Sequence, residues 1–175
     1  PNSNYKRGAH LRRNTEMGLF NSLIVGNWPD AGVLIDGDSC ANNATAGRLE
    51  VKNTYVATPV PLKTNVATFG IANWFATPGF TNATSTDYNT GKLIDGFNLD
   101  LPNAQPAPGS PALLPNAAAF TAARVNKAFF DKVTFAGAFD GTKAGDWTCG
   151  WAKYKVLNTA CFTGTKDAEK YIADV

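Results

Sequence analysis

Few side chains in this chain could do chemistry, and the densest group of them lies near its start. Histidine occurs once, as His10, within a basic stretch formed by Lys6, Arg7, His10, Arg12 and Arg13. A Ser-His-Asp or Cys-His device would have to use that one imidazole, and no Gly-x-Ser-x-Gly nucleophile elbow is present. The strip therefore suits binding better than turnover. It could hold an acidic glycan or a surface phosphate through charge-assisted hydrogen bonds, or it could be a solvated face with its arginines paired locally. Asp30, Asp36 and Asp38 gather before Cys40. Asp36 and Asp38 are the candidate ligands for calcium, which favours several oxygens. Asp36-Gly37-Asp38 is too short for an EF-hand loop and reads first as a turn, with the Asp side chains bonding nearby backbone N–H groups. No other cofactor is expected.

Aromatic side chains are the second reservoir. Trp28, Trp74, Trp147, Trp151 and Tyr154 could stack on sugar rings or fill a core. Trp28, beside Pro29 in a turn, is expected to be exposed. Trp147 and Trp151 flank Cys149 and are expected to be buried. The three cysteines are an odd count and not a closed framework. Cys149 and Cys161 could pair, leaving Cys40 free, and no spacing suggests zinc. The sequons Asn43-Ala44-Thr45 and Asn82-Ala83-Thr84 would matter only in a eukaryotic secretory host.

The elements that must position these groups read mainly as short strands. Gly8 to Arg12, Leu19 to Val25, Gly32 to Ile35 and Arg48 to Ala57 are β-type runs punctuated by Gly, Asn and Asp. With Ala9 and Leu11 inward, His10 and Arg12 share the outer face. Phe20-Asn21-Ser22-Leu23-Ile24-Val25 is echoed by Lys52-Asn53-Thr54-Tyr55-Val56-Ala57: Asn, small hydroxyl, large apolar, β-branched, smaller apolar. A solenoid would produce such an echo by stacking equivalent side chains, and an antiparallel meander is the competing arrangement. Asn65 to Phe75 predicts a short helix or packed loop, and Leu93 to Leu101 a strand. Pro102 to Pro115 is too proline-rich for regular structure. Ala117 to Phe130 predicts a helix, Val133 to Phe139 a strand, and Lys166 to Ile172 a short terminal helix.

Composition agrees with an extracellular β-rich protein. Hydrophobic residues make up 44% and charged ones 17%, and the net charge is +2. The charged share is low, so Asn, Thr, Ser and Gly must supply the polar surface. Nothing concentrates enough basic charge for nucleic acid, and no run is long and apolar enough to span a membrane. One domain is expected: residues 1–101 as terminal coils with a loop or helix insertion, and 102–175 as a capping segment.

Two stretches resemble a known family. Asn2-Ser3-Asn4-Tyr5-Lys6-Arg7-Gly8-Ala9-His10-Leu11-Arg12-Arg13-Asn14-Thr15, running on to Leu19-Phe20-Asn21-Ser22-Leu23-Ile24-Val25-Gly26, is one. Phe130-Asp131-Lys132-Val133-Thr134-Phe135-Ala136-Gly137-Ala138-Phe139, followed by Asp146-Trp147-Thr148 and Gly150-Trp151, is the other. Both resemble a family of Bacteroidetes secreted or cell-surface proteins of mostly unassigned function, built on a long right-handed parallel β-helix. Pro108-Gly109-Ser110-Pro111-Ala112 is similar, more loosely, to the end of many β-helix domains. Lys155 to Val175 departs from the family's pattern.

The resemblance implies a mostly β chain: the C-terminal coils of a right-handed parallel β-helix, closed by an irregular, partly helical aromatic cap. It further implies a fragment of a larger surface protein, whose N-terminal β-helix portion, or a second copy, would cover the strand Gly8 to Arg12. The functional expectation is a non-enzymatic structural or adhesive module that binds a glycan or a partner protein. The alternatives are the C-terminal remnant of a polysaccharide lyase or other carbohydrate-active enzyme, and a subunit of an extracellular filament.

Overall fold

The computed structural model describes residues 4–98, 102–148 and 152. Four strands form where the early apolar runs stand: β1 (Arg7–Arg12), β2 (Gly18–Val25), β3 (Ala31–Asp36) and β4 (Glu50–Ala57). Between β3 and β4 lies α1 (Asp38–Thr45). There follow β5 (Leu62–Thr64), α2 (Ile71–Phe75), β6 (Ala83–Ser85), a 3-10 turn at Tyr88–Gly91, β7 (Leu93–Asp95), β8 (Asn103–Pro106) and a second 3-10 turn at Pro111–Leu113.

The strands alternate between two three-stranded parallel sheets, β1-β3-β5 and β2-β4-β6, while β7 and β8 pair antiparallel. Neither three-stranded sheet closes or continues as a solenoid sheet, and the architecture is mixed. This corrects the expectation of a mostly β, right-handed parallel β-helix. Two local facts account for the difference. Asp38–Thr45 is helical where a turn was expected: Gly37 takes φ 89°, which suits glycine, and Cys40, Ala41 and Ala44 bury one face of the helix. The proline-rich segment then returns against Leu93–Asp95 as an antiparallel strand.

The echo between residues 20–25 and 52–57 has a structural counterpart. In the β2–β4 register Phe20 lies beside Lys52, Ser22 beside Thr54, and Leu23, Ile24 and Val25 beside Tyr55, Val56 and Ala57. Asn21 and Asn53 are both left-handed, at φ 49° and 52°, and Thr81, which leads into β6, has φ 55°. A left-handed residue inside a strand shifts the phase of its alternation. In β4 the buried positions run Val51, Thr54, Val56 and, at the strand's end, Ala57. The core lies between the two parallel sheets, where Val33 and Ile35 of β3 meet Val51 and Val56 of β4, with Leu49, Cys40, Trp74 and Phe75 filling around them.

The second half departs further from expectation. Residues 117–130 and 133–139 form turns and bends, not a helix and a strand. Their backbone donors reach distant acceptors instead. Ala119 N–H donates to Asn21 Oδ1 (2.9 Å), Gly137 N–H to the Asn21 carbonyl (2.7 Å) and Ala136 N–H to the Ala112 carbonyl (2.9 Å). Only Leu93–Asp95 of the strand expected over 93–101 is formed, and residues 99–101 lie outside the described residues. The terminal helix expected over 166–172 also lies outside them.

Candidate functional site

β1 lies at one end of its sheet and β2 at the end of the other. Among the described residues no further strand pairs with either edge, and along β2 the outer edge is met only at Asn21, whose carbonyl accepts from Gly137 N–H. Between the two edges opens a groove of about 500 Å³, lined with apolar side chains that include Ala9, Leu11, Met17, Leu19, Leu23 and Ile24. Alternation along β1 turns Leu11 into the core and leaves Arg12 exposed.

The register then decides which charges meet. Arg7 stands beside Ala31, His10 beside Leu34 and Arg12 beside Asp36. His10 Nε2 lies 2.7 Å from Asp36 Oδ2, Asn65 Nδ2 donates to Asp36 Oδ1 at 2.7 Å, and Asn65 Oδ1 accepts from Gly37 N–H at 2.8 Å. The hydrogen bond from His10, then that from Asn65, holds the Asp36 carboxyl below its ordinary value, and the Arg12 charge adds to the effect. At the other end of β3, Asp30 lies between Lys63 and Arg7. The hydrogen bond from Lys63 lowers its carboxyl most, burial opposes this, and the hydrogen bond and charge of Arg7 add to the lowering. Lys6, Arg12 and Arg13 are exposed and enter no ion pair among the described residues. The basic strip is thus part neutralised by its own sheet and part open to a partner.

Of the three aspartates, Asp30 stands apart, while Asp36 and Asp38 line one pocket. Asp30 precedes β3 and Asp36 ends it, a span of roughly 20 Å along a strand. Both oxygens of Asp36 are engaged by neighbours, and Asp38 opens α1. Among the described residues, no three His, Cys, Asp or Glu side chains gather as a metal site.

Two aromatic expectations are corrected. Trp28 is half-buried, not exposed: its Nε1 has no hydrogen-bond partner among the described residues and packs against Gly8 and Gly26, where an added Cβ would stand within 3.3 Å of it. Trp147 is 57% exposed, not buried, and stacks on Phe139 with ring centroids 5.9 Å apart. Trp151, Tyr154 and the Cys149–Cys161 pair lie outside the described residues. Cys40 is a free thiol in the core. Both sequon asparagines serve the fold. Asn43 Nδ2 donates to the Asn14 and Thr15 carbonyls, and Asn82 Nδ2 to the Val51 and Phe75 carbonyls.

Sequence reasoning did not find Lys63 and Asn65, whose roles depend on β5 lying beside β3. It also did not find Arg124, whose guanidinium donates to the Glu16 and Arg48 carbonyls and pairs with Glu50. No local pattern around these residues signals their partners. No protein-family model, curated protein or solved structure matches the chain.

Proposed function

We propose that this chain is a non-enzymatic structural or adhesive module of an extracellular surface protein, and that its open β1–β2 end receives strands from an acidic partner polypeptide. The observation that carries this reading is the combination at one end of the molecule of two strand edges that no further described strand covers, an apolar groove between them, and the exposed cations Lys6, Arg12 and Arg13, which enter no ion pair among the described residues. An edge offers main-chain hydrogen bonds, and the adjoining groove takes alternate side chains. The cations select sign: they attract an acidic strand and oppose a second copy of the same basic strand. Head-to-tail stacking of copies fits poorly for another reason. β1 and β2 have 6 and 8 residues, whereas the last strands of the two sheets, β5 and β6, have 3 each. The non-enzymatic part is supported by His10, whose ring is engaged by Asp36 on a sheet face, with no nucleophile bonded to it among the described residues.

Fluorescence anisotropy with a labelled octapeptide of alternating Glu and Val tests the reading. We expect binding at low salt that weakens as salt rises, with roughly tenfold loss in the R12E/R13E double variant. Absence of binding at low salt, or equal binding of the Lys-Val counterpart, would overturn it. So would binding of a sulfated polysaccharide without binding of the peptide, which would assign the cations to a glycan.

A further inference from the structure

The segment 116–148 contains one excursion that is held firmly at both bases and left bare at its tip. At the first base Val125 is buried, and the neighbouring Arg124 guanidinium is fixed by the Glu16 and Arg48 carbonyls and by Glu50. At the second base Ala136 is buried, and the amides of Ala136 and Gly137 donate to Ala112 and Asn21. Between these clamps, Phe130 N–H donates to the Lys127 carbonyl at 3.2 Å, making a turn that carries Phe129 and Phe130 outward. Phe129 is 88% exposed and Phe130 40%, their rings meet edge to face at 5.2 Å, and Val133 is exposed nearby. Folding gains nothing from an aromatic pair left in water, so contiguous apolar surface of this kind marks an interaction site.

The flanking charges indicate what it meets. Lys127 and Lys132 stand on either side of the pair and are exposed, with Asp131 the one acid between them. Phenyl rings that enter the headgroup–acyl boundary, with lysine stems extending back toward lipid phosphates, form the arrangement of a surface anchor. We infer that the loop at 126–135 docks the protein onto an anionic lipid surface, with Phe129 and Phe130 inserted and Lys127 and Lys132 on the headgroups. No helix of the described residues is long and apolar enough to cross a membrane. The loop's second base rests on Asn21 of β2, but its tip residues Phe129, Phe130, Lys127 and Lys132 are not among those that line the β1–β2 groove, so substitutions at the tip test this site separately.

Cosedimentation of the full chain with vesicles of phosphatidylcholine containing phosphatidylglycerol tests it, with pure phosphatidylcholine vesicles beside them. Binding is expected on the anionic vesicles, reduced roughly tenfold or more by F129A/F130A. Each of K127Q and K132Q should reduce it about fivefold at low salt, which follows from about 1 kcal/mol per cation near such a surface. In the F129W variant, tryptophan emission should shift to the blue on adding anionic vesicles. The inference is overturned if the anionic vesicles sediment no protein, if both vesicle types bind equally, or if binding survives F129A/F130A with the fold intact by circular dichroism. The last result would place lipid binding on Lys6, Arg12 and Arg13 instead.

Discussion

Residues 7–85 and residues 102–148 meet the same requirement, that buried backbone groups find partners, by different means. In the first region parallel ladders satisfy one strand from the next, and the left-handed Asn21, Asn53 and Thr81 recur strand by strand. In the second, regular structure ends after Pro111–Leu113, and amides reach single acceptors far away in sequence, Asn21 above all. A ladder shares the loss of one bond among its neighbours. A point attachment does not. The first region should therefore unfold as a unit, while the second should be releasable piece by piece.

The largest expected effect lies in the first region. Ile35 is fully buried between the sheets, and Ile35→Ala should cost about 2–5 kcal/mol, read as one cooperative shift of the denaturant midpoint. A loss under about 1 kcal/mol would mean that the core is not where the two sheets meet. The next effect tests the repeated left-handed position. Asn53→Ala should cost about 1–2 kcal/mol, because alanine resists positive φ, whereas Asn53→Gly should cost much less. Equal costs would show that the asparagine side chain, not the backbone, is what matters there.

A smaller effect belongs to the second region. Arg124→Ala should change global stability by no more than about 1 kcal/mol, as for exposed charged contacts, yet limited proteolysis should accelerate within 126–135. An unchanged cleavage pattern would contradict the point-attachment account. The smallest effect is one of pH. Asp30 and Asp36 are held below the ordinary carboxylate range by their partners. Their contribution to stability is complete above the unfolded carboxylate value and is lost as pH falls through the lower folded values, so it disappears below about pH 4. D36N should flatten that acid limb slightly. An acid limb unchanged in D36N would contradict this assignment.

What could be read in advance follows the same division. The strands β1 to β4 were visible because alternating Val, Ile and Leu and the Asn-hydroxyl echo are local patterns. The basic strip was visible for the same reason, along with its split into inward Leu11 and outward Arg12. α1 was not, because Asn42-Asn43 reads as a turn. Asn43 is in fact spent on the Asn14–Thr15 turn and on Arg48, and only tertiary structure places those groups. The apolar stripe in 117–130 suggested a helix, but Asn116 is left-handed at φ 64° and the Ala119 amide is taken by Asn21. Long-range partners override a modest local preference. Asp30, Asp36 and Asp38 are near one another in sequence, but β3 carries Asp30 away from the other two, which sequence nearness hides. The resemblance to a β-helix family led to a continuous solenoid, where the chain instead builds two short parallel sheets and an antiparallel pair.

The open end of β1 and β2 can be examined amide by amide. Hydrogen–deuterium exchange across residues 7–12 and 18–25 should slow when the acidic Glu-Val octapeptide is added, with β3 and β4, whose edges are already paired, unchanged. Exchange in β1 and β2 that stays as fast with the peptide as without it would contradict the account.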